Sequence, residues 1–533
     1  MPTVTDRKTA LFVLVLTPLL AWLAFPPARF SEAVFVLAVP SLWWAGRAPA
    51  WRFFSGAMIT AWSLVWLVLL AWLYHVTIVG LALIAVFLGT LSSLWFLAAR
   101  WTLPRVEAAP AMTKVVATLG LGALWVLGEW FRGWLFTGFP WLPLAAAEWQ
   151  RPVMLALCPL TGAHGVSLLI ILCNLGLAAY LARATSARPD RRLGWFTPAF
   201  TVAMVAFLAG TFGLAGDLLG QKREPFVRVG IVQPYIPQSL KWDPAEATRT
   251  LEVLDRETRK VAALQPDLLL WPEAASPYIL KAQPELQPWL EKLATNLGAP
   301  LLAGLVVLEH ANTPQEIWGN AAVVIDPEHG VQPEFYLKRH LVPFGEYVPL
   351  GRLLSWLKKV VPIGDDFQPG HSAAPLTVST GRRPVAAGVL ICYEDVFAEP
   401  ARTSTAAGAE LLVTLTNDAW YGEGAAAYQH AAHSALRAAE NRRPLVRCGN
   451  GGWSGWFDEF GMQRAVLTND RGSVYFRGGE VLPLTRDVRW VGRRTLYTER
   501  GDWFVGVCAA VVLLSGWVVA RRKVVSAEVP PHP

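Results

Sequence analysis

Apolar runs about as long as a bilayer is thick decide most of what this chain can fold into. A helix crosses the hydrocarbon core with about 20 mostly apolar residues. Runs of this kind occupy 10–26, 31–46, 54–74, 76–99, 113–131, 163–183, 196–219 and 503–520, the second being short. Charged residues make up only 16% of the chain, below the roughly 25% usual in soluble domains. They are concentrated between about 221 and 500. The expected organisation is a membrane domain over 1–220 with about seven transmembrane helices, a polar domain over 221–500, and a last transmembrane helix with its tail over 501–533. No small-residue cleavage site follows the first run and further runs come after it, so it is expected to span the membrane and not to act as a secretory signal.

The basic residues predict an orientation. Connections on the cytoplasmic side are enriched in Lys and Arg. Arg7 and Lys8 precede the first run; Arg47 and Arg52 follow the second; Arg100, Arg105 and Lys114 follow the fourth. Arg183, Arg188, Arg191 and Arg192 follow the sixth, and Arg521, Arg522 and Lys523 follow the last. Both termini are thus expected in the cytoplasm and the polar domain on the opposite face. In a bacterium with two membranes this means an inner-membrane protein with a periplasmic domain. The same placement accounts for the net charge of +7. Nucleic-acid binding is not expected, because no basic stripe with interleaved aromatics is present.

Five cysteines are present without a CxxC pair or a regular spacing, so neither a disulfide framework nor a zinc site is indicated. Cys158, Cys173 and Cys508 lie in or beside apolar runs, where packing explains them. Only Cys392 and Cys448 fall in the polar domain.

That domain reads as α/β. Short β-branched or leucine-rich runs bounded by turn residues predict strands at Val227–Val232, Asp267–Trp271, Pro300–Val307, Asn320–Ile325, Val385–Ile391, Leu411–Thr416 and Leu445–Cys448. Leu251, Leu254, Val261 and Leu264 share a helical spacing within Pro244–Leu264, and a second helix fits Ala427–Arg442. Strands alternating with helices imply an open sheet covered by helices.

Three segment ends carry groups with catalytic chemistry. Leu270-Trp271-Pro272-Glu273 ends an apolar strand on a carboxylate. Tyr336–Pro349 carries Lys338 and Glu346. Gly388-Val389-Leu390-Ile391-Cys392-Tyr393-Glu394-Asp395 runs a buried strand into a cysteine followed by acids. The thiolate is the nucleophilic form of cysteine. A carboxylate such as Glu273 can take the thiol proton, and a cation such as Lys338 can stabilise thiolate and oxyanion. A cysteine in a sharp strand-to-helix turn is open to a substrate. Glu, Lys and Cys together suit acyl transfer through a thioester. Singly, each has a plainer reading: a small core residue, a solvated turn carboxylate, a surface cation.

The three segments resemble the Glu-Lys-Cys triad segments of the nitrilase, or carbon–nitrogen hydrolase, superfamily. The surrounding chain resembles its membrane-bound branch, the apolipoprotein N-acyltransferases, over nearly its whole length. Glu129-Trp130 through Thr137-Gly138-Phe139-Pro140-Trp141 is similar to that branch's membrane motif, Ile236–Trp242 to its domain entry and Asn417–Gly422 to a later strand end. The resemblance implies a polytopic α-helical membrane domain joined to a nitrilase-like α-β-β-α sandwich. It implies Glu273 as general base, Lys338 as thiolate and oxyanion stabiliser, Cys392 as nucleophile and Glu346 as a second active-site glutamate. Trp242, Tyr393 and Glu394 match further functional positions. The implied acyl donor is a phospholipid, phosphatidylethanolamine in this family, and the acceptor a diacylglyceryl apolipoprotein. No cofactor and no metal are expected. Gln233-Pro234-Tyr235 and Cys448–Gly452 depart from the branch's pattern, which bears on the substrate pocket and not on the reaction.

Several features have competing readings. Cys448 is a rival nucleophile with no carboxylate beside it, or a disulfide partner that would block Cys392. His430 and His433 share a helix face as metal ligands do, but without a third ligand a polar helix face is the expectation. Glu129 and Arg132 end an apolar run, where snorkelling or a mutual pair is expected. Leu353–Val361 is apolar with two lysines and reads as a lid dipping into the interface or as core. Two alternatives to acyl transfer stand: a membrane-anchored amidase or nitrilase-type hydrolase, and a transporter or receptor with an exported binding domain.

Overall fold

The computed structural model describes residues 3–185, 198–311, 313, 315–349 and 367–522. Leu353–Val361, Arg188 to Arg192 and the tail after Arg522 lie outside the described residues. The chain divides into two compact units. One comprises Met1–Glu148, Ala156–Ala215 and Asp502–Pro533, the other Trp149–Leu155 and Gly216–Gly501.

The first unit is helical. Among the described residues six helices are long and apolar enough to cross a membrane: Val4–Ala24, Trp51–Leu69, Ile78–Val106, Ala111–Arg132, Ala163–Ala184 and Trp503–Ala520. Pro198–Leu219 adds a further apolar helix. The run 31–46 differs from the expected span. It forms a 3₁₀ turn, Ser31–Phe35, and an eight-residue helix, Val39–Gly46. Pro40 at the start of that helix cannot continue a helix from upstream. Asn174 repairs the break, accepting from Ala38 N at 2.8 Å and donating to Val34 O at 2.9 Å. Backbone groups within a bilayer need such partners. Elsewhere small residues let helices approach closely: a Cβ on Gly120 would meet Ser515 Oγ at 2.1 Å.

Among the described residues the second unit holds twelve strands: β1 (Arg223–Gln233), β2 (Leu268–Trp271), β3 (Leu301–Glu309), β4 (Ile317–Asp326), β5 (Gly330–Leu337), β6 (Leu376–Ser379), β7 (Pro384–Ile391), β8 (Leu411–Thr416), β9 (Leu445–Gly449), β10 (Gly455–Phe457), β11 (Gln463–Val466) and β12 (Gly478–Asp487). They form two six-stranded sheets, ordered β12-β1-β2-β3-β4-β5 and β11-β10-β9-β8-β7-β6. β1, β2 and β3 are mutually parallel, as are β7, β8 and β9, and antiparallel strands flank both trios.

Alternation along the central strands builds two cores. Leu268 and Leu270 of β2 face a core shared with Val389 and Ile391 of β7 and Val413 and Leu415 of β8. Leu269 and Trp271 face the other way, against Leu254, Val261, Leu290 and Leu293 of helices Ala247–Ala262 and Leu286–Leu297. A strand buried on both faces reads as an unbroken apolar run, and each such side chain contributes roughly 1.5–3 kcal/mol. Helices Ala398–Ala406 and Ala425–Asn441 accompany the second sheet. The result is the α-β-β-α sandwich.

Candidate active site

The parallel strands aim their carboxyl ends at one place, the usual location of a site in such sheets. Glu273 stands two residues beyond β2, in a turn completed by Ala274 at φ 45°. Gly304 of β3 permits that turn: a Cβ there would meet Pro272 O at 2.4 Å and Glu273 Cα at 2.7 Å. Lys338 directly follows β5. Its N donates to Asn320 O at 2.8 Å and its carbonyl accepts from Gly370 N at 2.9 Å, so its backbone is held from both sides. Cys392 directly follows β7 with φ 49°, in the left-handed region, and opens the 3₁₀ turn Cys392–Val396. A non-glycine residue held there is strained, which the surrounding packing must sustain. This is the geometry of a nucleophile elbow.

The side chains converge in a buried cluster. Lys338 Nζ donates to Glu273 Oε1 at 3.0 Å and to Glu346 Oε1 at 3.0 Å. Asn320 Nδ2 donates to the same two oxygens, at 2.7 and 2.9 Å. Glu346 Oε2 accepts from Val342 N at 2.8 Å, which fixes the loop after β5. Burial alone would raise the Glu273 pKa, but Lys338 and Lys241 outweigh it and hold the carboxyl below its usual range. Burial opposes the charge on Lys338, and Glu273 and Glu346 reverse that and hold its pKa well above the usual lysine value. Burial, reinforced by Glu273, pushes the Cys392 thiol well up, with Lys338 pulling the other way. The site therefore pairs an ionised carboxylate with a neutral thiol.

The four supporting positions separate. Glu346 belongs to the cluster. Glu394 is fully buried and accepts from Tyr336 Oη at 2.8 Å, Ile391 N at 2.7 Å, Arg339 N at 2.6 Å and His340 N at 3.2 Å. It ties the turn of Cys392 to the strand end of Lys338; burial raises its pKa in spite of these donors. Tyr393 is buried with its ring edge-on to Phe397, 5.0 Å between centroids. Trp242 is 45% exposed and makes no hydrogen bond to the triad among the described residues.

Two features of the site were not legible as catalytic in the sequence. Lys241, 2% exposed, donates from Nζ to the backbone O of Glu273 at 3.0 Å. Burial lowers its pKa to about 8, with Glu273 and Cys392 pulling it back up. A lysine beside an exposed tryptophan carries no signal that it turns inward. The second is an ion network beneath Cys392. His430 contacts Asp418 Oδ1 at 2.8 Å, Asp395 Oδ1 at 2.7 Å and the Cys392 carbonyl at 3.1 Å. Arg447 bridges the same acids at 2.6 and 3.0 Å, and Ser434 Oγ donates to Asp395 Oδ2 at 2.5 Å. All five are buried. The helix carrying His430 and His433 is therefore not a solvated polar face. No group of residues suited to a metal occurs among the described residues.

Cys448 is free, as is Cys392. It faces the inter-sheet core, and its Sγ lies 3.4 Å from Val232 O and 3.5 Å from Leu270 O; burial raises its pKa too. In the helical unit, Glu129 and Arg132 are buried and do not snorkel.

Residues 228–506 match the carbon-nitrogen hydrolase family model, and residues 18–176 match that of the apolipoprotein N-acyltransferase N-terminal domain. An apolipoprotein N-acyltransferase of Geobacter metallireducens is 31% identical over 525 residues, covering 96% of this chain and 95% of its own. That of Methylococcus capsulatus is 33% identical over 423 residues, covering 78% and 77%. A solved amidase from a Nesterenkonia species aligns with 54% of this chain and 98% of its own, at 18% identity and a TM-score of 0.36.

Proposed function

Because this chain belongs to the apolipoprotein N-acyltransferases, we propose that it moves a fatty acyl chain from a phospholipid, through a thioester on Cys392, to the α-amine of a diacylglyceryl-cysteine at an apolipoprotein's N-terminus. Glu273 takes the Sγ proton as Cys392 attacks the ester carbonyl. The oxyanion forms beside Lys338, whose charge stabilises it. Collapse expels the lysophospholipid alkoxide, which takes the proton back from Glu273. In the second half, the free amine attacks the thioester, Glu273 removes its surplus proton, and the thiolate leaves and is reprotonated. Two substrates thus use one base in turn.

The observation that carries this reading is the pairing of an ionised, lysine-held Glu273 with a neutral thiol on a left-handed residue. Lipid substrates are favoured over water-soluble amides by the apolar groups near these residues. Leu240, Trp242, Phe344 and Trp420 are exposed, and each lies within two residues of Lys241, Glu346 or Asp418 in the chain. Membership of an acyltransferase family sets aside the transporter or receptor alternative.

The donor in this reading is phosphatidylethanolamine. The setting is a bacterial inner membrane with the catalytic domain in the periplasm and both termini in the cytoplasm, in keeping with the basic connections at Arg47, Arg52, Arg100 and Arg105. The deciding measurement is mass spectrometry of the protein after incubation with phospholipid alone. A gain of one acyl chain that hydroxylamine removes is expected; a folded chain that gains none rules the thioester out.

A further inference from the structure

The helical unit contains an apolar cavity lined by Glu129 and Trp62, and Glu129 Oε2 and Trp62 Nε1 are buried with no hydrogen-bond partner among the described residues. Their residues are 8% and 3% exposed. The other carboxylate oxygen is fully used. Glu129 Oε1 accepts from Trp125 Nε1 at 2.9 Å and from Leu144 N at 2.8 Å, so Oε2 is the oxygen this cavity-lining residue has left for a ligand. The indoles of Trp66, Trp95 and Trp125 complete much of the wall with that of Trp62. Arg132 lines it as well, its guanidinium 4.8 Å from the centroid of Trp66.

A carboxylate oxygen left unmatched inside a membrane is costly, and such a group is by default a functional candidate. This cavity asks one ligand for a donor at Oε2 and an acceptor at Nε1. Aromatic walls favour an ammonium as the donor, through attraction of a cation to the ring faces. Charge narrows the choice further. Arg132 already offsets Glu129, so a free amine would leave the cavity with one net positive charge, whereas a zwitterionic head group adds none.

We propose that this cavity binds the head group of an amine-bearing phospholipid, its ammonium on Glu129 Oε2 and a phosphate or ester oxygen on Trp62 Nε1. The proposal rests on the lipid-substrate reading above and gives the helical unit a part in it, the holding of a zwitterionic lipid.

The test uses the full chain with Cys392→Ala, which cannot turn over. It is equilibrated with micelles holding equal amounts of phosphatidylethanolamine and phosphatidylglycerol of matched acyl chains, and the retained lipids are counted by mass spectrometry. Enrichment of phosphatidylethanolamine is expected. Adding Glu129→Gln should lower that enrichment about tenfold, the scale of one desolvated charge contact. Glutamine keeps an oxygen for Leu144 and Trp125 but places an amide where the ammonium sits. Trp62→Phe should reduce retention of both lipids and leave their ratio unchanged. No enrichment in the parent, or an unchanged ratio in Glu129→Gln, overturns the proposal and leaves Glu129 as an anchor for Leu144. If Glu129→Gln fails to fold, undiminished retention by Trp62→Phe overturns it equally. Acylation of the unsubstituted chain is followed separately, so failure of the thioester reading leaves these ratios readable.

Discussion

Cys392 sits where a thiol is hard to ionise, buried beside the charge of Glu273, so the proposed attack requires transfer of its proton and does not draw on a standing thiolate. Glu273→Gln removes the acceptor while keeping size and fold, and acyl-enzyme formation should slow by roughly 10²–10⁴-fold, the usual scale for general-base catalysis. Cys392→Ala should form no adduct with phospholipid, and Cys392→Ser only a slow ester. Cys448→Ser should acylate normally, since that thiol faces the core and its carbonyl neighbours. Acylation that survives Cys392→Ala and is lost in Cys448→Ser would exchange the two assignments. Lys338→Arg keeps charge but not a compact ammonium; in a slot shared with two carboxylates and Asn320 it should abolish most transfer, and near-normal turnover would demote Lys338 to a bystander. Lys241 adds a pH signature. With a pKa of about 8, it loses its charge as pH rises through that value, and single-turnover acylation should fall there. Lys241→Met should lower the plateau and erase that limb; a limb that persists belongs to another group.

The turn that displays Cys392 is stabilised by elements far away in sequence. The network of His430, Asp395, Asp418 and Arg447 has a stability consequence with a definite sign. Burial and Arg447 oppose the charge on His430, but the two acids prevail and raise its pKa from 6.5 to about 9. A folded-state pKa above the unfolded value means stability fully present below about pH 6.5 and lost as pH rises through about 9. A shift of that size corresponds to on the order of 3 kcal/mol. Lys241, with its pKa lowered, works in the opposite direction above pH 8, so the comparison must be with a variant. The unfolding midpoint in detergent should decline from pH 6.5 to 9, and His430→Gln should be less stable at pH 6 with a flatter decline. Parallel curves would place the titrating group elsewhere. Elements also differ in how plainly the sequence announces them. The seven strands anticipated from apolar runs all form, and most are central and buried on both faces. Five strands carry no such run. β5, β6, β11 and β12 are the four sheet edges, where one side is polar and proline is tolerated: Pro333 sits at the register shift between β4 and β5, and Pro483 in β12. β10 lies inside its sheet but is only three residues long, Gly455–Phe457.

At the scale of the whole molecule the proposed orientation has a direct test. In the reading above, basic connections lie in the cytoplasm and the catalytic unit outside it. A cysteine placed between Arg188 and Arg192 should be shielded from an impermeant thiol reagent in intact spheroplasts, and one placed near Pro314 should react. The reverse labelling would invert the topology and remove the proposed access to periplasmic apolipoproteins.

What the sequence determined alone is whatever depends on neighbours along the chain. Length and apolarity mark helices such as Ile78–Val106 and Trp503–Ala520, because bilayer thickness sets a linear requirement. A strand ending on Glu273 and another ending on Cys392 are likewise linear facts, and with Lys338 they suffice to suggest the chemistry. Tertiary structure decided everything that depends on which groups are brought together. Only the fold turns Lys241 inward onto the carbonyl of Glu273, sets Asn320 between two glutamates, leaves Trp242 outside and sinks His430 between two aspartates. It also breaks residues 31–46 just before Pro40, between Phe35 and Val39, because Asn174, distant in sequence, supplies the hydrogen bonds that make the break tolerable. Burial and charge pairing act through space, so the same lysine or histidine reads as surface in the sequence and as part of the site once the chain has closed around it.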